Sequence, residues 1–348
     1  MGSRKGYIID GIGVNMTTAL ATIFVFGLIV FIHELGHFIT AKMSGMQVDE
    51  FAIGFGPAIF KVQRGETLYS IRIIPLGGFN RIAGMTPDEP LNERSFYTKP
   101  AWKKFIVISA GAVFNFLLAI VLFFGLNATV GNLTYTNDPV IGNIIPGSAA
   151  EQAHLQSNDR ILTIDGKKIS TWDEIRPSLQ GTANHGVTVV VDREGETTVI
   201  PKMEQDSPKI GIYPSYTRET YSIGESFSLA VTRTGQTIVA MLSGLYDMIR
   251  GTQAAELSGP VGISQMAGTI AQSGFAPLLS FAAFLSINLG VINLLPLPVL
   301  DGGHLIIILA EAITGRKLPA KALMYIQMVG VALMVALFLY VTTQDIFR

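Results

Sequence analysis

Cysteine is absent from the 348 residues. Disulfides and thiolate metal sites are therefore excluded, and any metal must be held by His, Asp or Glu. Charge is scarce as well: Asp, Glu, Lys and Arg make up 15% of the chain against 49% apolar residues, a balance too oily for an ordinary soluble domain. The composition points to the lipid bilayer. No basic excess exists, since the formal net charge is −1 and no Lys/Arg stripe is interleaved with aromatics, so nucleic acid is excluded as a partner. The first apolar segment is long, carries polar and charged side chains and lacks a small-residue cleavage site, so it is expected to stay in the protein rather than be removed as a leader.

What is present begins with four apolar segments able to span a bilayer, at about residues 16–43, 105–130, 275–300 and 322–342. The loop after the first carries Lys61, Arg64, Arg72, Arg81, Arg94, Lys99, Lys103 and Lys104, and the short third loop carries Arg316, Lys317 and Lys321. Positive loops face the cytoplasm, which puts both termini and the acidic segment 131–273 outside. Within the first segment stands His33-Glu34-Leu35-Gly36-His37. On a helix the two histidines share one face, and Glu34 lies one step round, positioned to act as a base on water in zinc-dependent hydrolysis. A carboxylate at bilayer depth costs on the order of 3 kcal/mol, so Glu34 calls for a compensating cation. An intramembrane metalloprotease is the leading reading. About 17 residues at about 1.5 Å each separate Met16 from His33, roughly 25 Å, which sets the metal toward the cytoplasmic leaflet.

A catalytic zinc keeps three protein ligands and one open position, so the histidine pair needs one more. The third apolar segment breaks into Asn293-Leu294-Leu295-Pro296-Leu297-Pro298-Val299-Leu300-Asp301-Gly302-Gly303-His304, where prolines remove backbone donors and glycines allow close approach. Asp301, His304 and Glu311 are the candidates, with Asp301 preferred and Glu311 also able to pair with Arg316 or Lys317. Residues 48–53 and 69–74 are short β-rich runs bounded by Gly and Pro, and predict a small sheet beside the first helix. Such a sheet must be shielded or line a wet cavity, and its open edge can pair with a substrate strand; the alternative is a solvated hairpin with no part in binding. Residues 140–203 read as a small α+β module, with strands at 141–145, 160–164, 187–191 and 197–200, a turn at Asp165-Gly166 and a helix opening at Thr171-Trp172-Asp173-Glu174. Residues 222–251 read as an amphipathic helix, lying on the outer membrane face or packed on that module.

With both polar clusters in view, the chain resembles the site-2 protease family of intramembrane zinc proteases, and within it the bacterial branch with extracytoplasmic PDZ domains. The resemblance rests on His33-Glu34-Leu35-Gly36-His37, on the Asn-x-x-Pro-x-Pro-x-Leu-Asp-Gly element from Asn293, and on Ile74-Pro75-Leu76-Gly77-Gly78-Phe79. Gly54-Phe55-Gly56-Pro57, the stretch 111–115 and Gly259-Pro260-Val261-Gly262 look like further family elements. The resemblance implies one zinc ion held by His33, His37 and Asp301, Glu34 as general base, and Asn293 holding the substrate backbone. Ile73, Pro75, Gly77 and Gly78 would then contact a substrate strand. Residues 140–203 are similar to the permuted bacterial PDZ domain through Ile145-Pro146-Gly147-Ser148-Ala149-Ala150 and the run 158–166, but His154 and Asn158 stand where the family commonly has Gly. Asn tolerates the left-handed backbone that Gly would supply.

The expected architecture is thus a polytopic α-helical membrane protein of about four transmembrane helices, with a membrane-associated β-hairpin and one extracytoplasmic α+β PDZ domain. Its parts are residues 16–130 (two spans and a β-rich loop at 48–84), 140–203 (PDZ), 204–273 (an amphipathic extracytoplasmic connector) and 274–342 (two spans). The expected setting is a bacterial inner membrane, and the expected partners are lipid and single-span membrane proteins such as anti-sigma factors or remnant signal peptides. A peptide ligand of the PDZ domain is a further possible partner. An intact substrate helix hides its carbonyls and must unwind before it is cut. The rival classes are a metal transporter, since buried His and Asp also mark ion paths, and an inactive PDZ scaffold.

Overall fold

The structure is a computed structural model and describes residues 16–85, 89–145, 147–182, 185–193, 196–199, 202–204, 207–252 and 259–347. It divides into two compact units, one of residues 1–129 with 222–348 and the other of residues 130–221. The larger unit opens with helix α1 (Met16–Met43), followed by strands β1 (Val48–Arg64) and β2 (Thr67–Ile82) and helix α2 (Ala101–Thr129). The register between β1 and β2 slips repeatedly, so that residues 50–53 find partners both at 68–71 and at 78–81. This folds one long hairpin into a narrow sheet. Aromatic contacts dock it on α1: Phe31 and Phe38, seven residues apart on one helix face, meet Phe51 at 6.0 and 5.2 Å, and Phe38 also meets Tyr69 at 5.8 Å. At the hairpin's far end Phe55, Ile59, Phe60, Ile73 and Ile74 are exposed.

The smaller unit contains β3 (Asn132–Tyr135), β4 (Ile141–Ile144), α3 (Ala149–Gln152), β5 (Ile161–Ile164), β6 (Lys167–Lys168), α4 (Ile175–Ser178), β7 (Val187–Val191), β8 (Glu196–Val199), β9 (Lys202–Glu204), β10 (Ser207–Lys209), β11 (Ile212–Pro214) and β12 (Tyr216–Glu219). Strands β6-β5-β7-β8 form a four-stranded sheet, and β4 pairs with β11 and β3 with β12. Alternation along β7 buries Val187, Val189 and Val191 beside Ile141, Ile161, Ile164 and Leu179. His154 and Asn158 have φ of 56° and 73°, the left-handed region in which Gly is usual. Ile200, at the end of one expected strand, and Pro146 lie outside the described residues.

The chain re-enters the larger unit through α5 (Ile223–Ile249), α6 (Pro260–Gln272), α7 (Phe275–Asn293), α8 (Asp301–Thr314) and α9 (Ala320–Phe347). Among the described residues, four helices are long and apolar enough to cross a membrane: Met16–Met43, Ala101–Thr129, Phe275–Asn293 and, within α9, Lys321–Asp345. The third span stops seven residues short of its apolar run, at Asn293, because Pro296 and Pro298 cannot continue the backbone ladder. Helix α5 starts with a capping box between Ser222 and Glu225 and packs lengthwise along α2 and α7, with Ala230, Ile238, Met241 and Leu245 against Ala119, Phe123 and Ile287. The amphipathic pattern predicts that this face lies on the outer membrane surface or on the 140–203 module; it packs instead on the apolar helices α2 and α7, which offer a larger apolar surface. Asp345, near the end of α9, accepts hydrogen bonds from Gly259 N (3.0 Å) and Gly262 N (2.9 Å) and so satisfies donors at the start of α6.

Candidate active site

Helical spacing puts His33 and His37 on one face of α1, both buried, with rings edge to face at 4.8 Å. The opposing surface is α2, whose backbone comes unusually close. A Cβ on Gly36 would lie 2.6 Å from the Ala110 carbonyl oxygen, and one on Gly111 would lie 2.4 Å from His37 Nε2. These two glycines make the space in which the imidazoles sit. Asp301 arrives from the far end of the sequence: α7 ends at Asn293, the proline-containing loop turns, and Asp301 opens α8. The loop can fold back on the start of α8 because Gly302 has no side chain, since a Cβ there would lie 2.1 Å from the Leu295 carbonyl oxygen. Val299, two residues before Asp301, has φ of 77°, a strained conformation for a β-branched residue.

His33 Nε2 and His37 Nε2 stand 3.2 Å apart, and Asp301 Oδ2 is 3.4 Å from each. Ligand atoms around a tetrahedral ion with bonds of about 2.0–2.1 Å are separated by roughly 3.3–3.4 Å, so this triangle has the dimensions of a zinc donor set. Asp301 Oδ2 is buried and makes no hydrogen bond, an orphan that a cation would satisfy. His37 Nδ1 lies 2.8 Å from the Val107 carbonyl oxygen. A carbonyl only accepts, so Nδ1 carries the proton and Nε2 presents its lone pair to the triangle. The donor set fits the metal.

Glu34, His33, His37, Asp301 and Asn293 line one cavity of about 290 Å³, together with Gly78, Phe79 and Asn80 of β2 and His304 of α8. Asn293 Nδ2 is 3.4 Å from His33 Nε2. Of the expected strand-contact residues, Gly78 lines the cavity, Ile73 lies on the exposed apolar end of the hairpin, and Gly77 adopts φ of 100° against the Phe55 ring. Pro75 belongs to β2, but its side chain lies outside the described residues. His304 is not part of the donor triangle, and its Nδ1 donates to the Leu300 carbonyl at 3.2 Å. Glu311 meets neither Arg316 nor Lys317 but Lys104 of α2, at 3.6 Å in a nearly dry setting, and accepts a hydrogen bond from Leu318 N. Two residues with no signal in the helical pattern also enter the site. Asn115 of α2 lies 3.3 Å from His33 Nδ1, and Asn80 hydrogen-bonds Glu34.

Outside the membrane segments, two ion networks brace the sheet. Burial would raise Glu50, but hydrogen bonds from Arg72 (2.6 Å) and Ser70 (2.7 Å) outweigh it and hold its carboxyl below the usual range. At the hairpin turn Glu66 is held down to about 2 by hydrogen bonds from Arg94, at 2.6 and 2.7 Å, and from Lys42 at the end of α1.

Residues 21–337 match the profile of peptidase family M50. The chain is 31% identical to the regulator of sigma-W protease RasP of Bacillus subtilis over 420 aligned residues, covering 96% of this chain and 99% of that protein. It is 31% identical to the zinc metalloprotease RasP of Bacillus licheniformis over 418 residues, with the same coverage. A Fusobacterium nucleatum protein, provisionally named a zinc metalloprotease, is 36% identical over 338 residues, covering 95% of this chain and 99% of that protein. With four helices among the described residues able to cross a membrane, a donor set of two buried histidines and one half-buried aspartate, and a relative matched over 99% of its length, this chain belongs to peptidase family M50, the site-2 protease family, and is a membrane zinc metalloprotease.

Proposed function

We propose that the protein hydrolyses a peptide bond in or near the membrane segment of a single-span membrane protein, with His33, His37 and Asp301 holding one zinc ion and Glu34 as general base. The observation that carries this reading is the donor triangle with edges of 3.2, 3.4 and 3.4 Å, opening onto the same cavity as Glu34 inside an apolar helix. Bound zinc supplies Lewis-acid polarisation of the scissile carbonyl and acidifies the attacking water. Glu34 takes that water's proton and returns it to the departing amine, and Asn293 donates a hydrogen bond to the substrate backbone. The stretch 78–82 of β2 borders the cavity and offers its outer edge to an extended substrate strand, a pairing available only after the substrate helix unwinds.

The smaller unit serves as an extracytoplasmic PDZ domain that limits access by substrate size, a reading supported by the left-handed backbone at His154 and Asn158. Exposed apolar residues at the far end of the hairpin, Phe55, Ile59 and Phe60 among them, favour its dipping into the bilayer. The setting is a bacterial inner membrane, with the catalytic cavity toward the cytoplasm. The sigma-W protease among the relatives supports a membrane-anchored anti-sigma factor, or a remnant signal peptide, as substrate. The test is cleavage of a single-span substrate by the purified protein, read by mass spectrometry beside zinc content. Glu34→Gln is expected to keep one zinc and lose cleavage by at least about 100-fold. Wild-type turnover by Glu34→Gln overturns the assignment of the base.

A further inference from the structure

A glutamate side chain has three rotatable bonds, so a general base of this type works only if something holds its carboxylate where the proton must go. Among the described residues of α1, none donates a hydrogen bond to its carboxylate. The restraint comes from Asn80, 46 residues further along the chain and on β2, whose Nδ2 donates to Glu34 Oε2 at 2.8 Å and to the backbone oxygen of the same residue at 2.7 Å. The second bond settles which way the Asn80 amide faces, because a backbone carbonyl can only accept. One NH2 group therefore ties the two ends of Glu34 together and sets the path of the side chain between them. With Oε2 engaged, Oε1 has no donor among the described residues and is the oxygen left to exchange a proton. The sheet is shaped for this contact: Gly78, which shares a strand face with Asn80, lies so near that a Cβ there would be 3.0 Å from Glu34 Cγ. Asn80 Oδ1 is buried without a hydrogen bond, so burial of this amide costs the fold a partner and is not explained by the sheet alone.

We propose that Asn80 is a positioning residue that orients Glu34 for proton transfer. The proposal rests on the reading of Glu34 as the base. Its test uses the full chain in detergent and a single-span substrate, comparing wild type, Glu34→Gln, Asn80→Val and the nearly isosteric Asn80→Asp for kcat, KM and zinc per chain. Asn80→Val is expected to lower kcat roughly 10- to 100-fold, part of the 10²- to 10⁴-fold that general acid–base catalysis contributes, with KM within about twofold and one zinc retained. Asn80→Asp, which keeps the shape but replaces the donor with a like charge, is expected to fall at least as far. A purely structural role would instead lower activity in step with zinc content, so a kcat loss that vanishes on normalising to bound zinc overturns the proposal. So does wild-type kcat in either Asn80 variant while Glu34→Gln is inactive. Turnover by Glu34→Gln at the wild-type rate would remove the underlying reading of Glu34 itself.

Discussion

Replacing Gly111 by Ala separates the requirements of the helix from those of the site. The added Cβ would stand 2.4 Å from His37 Nε2, 2.5 Å from His33 Cε1 and 2.8 Å from His33 Nδ1. Ordinary contacts between such atoms are about 3.5 Å, so the rings must retreat by about 1 Å, twice the roughly 0.5 Å that a metal or catalytic constellation tolerates. Neither ring is free to do so. His37 is held by its Nδ1 bond to the Val107 carbonyl, and His33 is backed by Asn115. Losing such supporting contacts lowers metal affinity by about 10- to 100-fold even without a clash. The helix itself gains, because Ala is favoured over Gly in a helix interior by about 1 kcal/mol. The expected result is a zinc affinity at least about 100-fold weaker, equivalent to about 2.7 kcal/mol, in a protein that still folds, the helix gain offsetting part of the strain. Competition against a chelating dye gives the affinity, elemental analysis gives zinc per chain, and circular dichroism gives thermal unfolding. Gly125→Ala on the same helix, where a Cβ meets nothing within 4 Å, is the control and should bind zinc normally. If Gly111→Ala binds zinc within about threefold of wild type, the reasoning from the α1–α2 contact is wrong.

The dry pair of Lys104 and Glu311 predicts strong coupling: Lys104→Met alone strands a buried carboxylate and should destabilise by about 3–5 kcal/mol, whereas Lys104→Met with Glu311→Gln, which preserves the acceptor for Leu318 N, should recover most of that loss in thermal unfolding. Glu66 has a folded-state pKa depressed to about 2, so its contribution is complete above its unfolded value near 4.5 and is lost as pH falls toward 2. Glu66→Gln should therefore lower the Tm by about 1–3 °C at pH 7, by less at pH 3, and by less again in high salt, because the network is partly exposed. An equal Tm difference at pH 7 and pH 3 would refute the ion-network account.

The legible parts of this protein are the ones written locally. The pairing of His33 with His37 needs only the 3.6-residue helical repeat, and the end of α7 at Asn293 needs only the two prolines that follow. Glu34 was readable for the same reason. Asn80 was not: nothing in the β-rich run around it marks a partner 46 residues back on α1. Asn115 lay within a recognisable stretch of α2, yet only the packing of α2 on α1 gives it a position beside His33. Glu311 has two cations close by in sequence, but its partner is the more distant Lys104, because folding brings α8 against α2 and leaves Arg316 and Lys317 exposed.

Composition already pointed to a membrane protein, and the apolar runs located the four helices that, among the described residues, can cross a membrane, although the third ends early at its prolines, because the cost of burying backbone and charge in hydrocarbon leaves little choice. The spacing of the first motif likewise determined which side chains share a face of α1. The sequence already preferred Asp301 as the third donor, and folding brings its oxygen to 3.4 Å from both imidazoles; tertiary structure alone decided that Asn80 holds Glu34 and that α5 spends its apolar face on α2 and α7. Periodicity records which way a side chain points along its own element; which group it meets depends on how closely two backbones can approach, and here glycines at the α1–α2 contact and beside Asp301 set that distance.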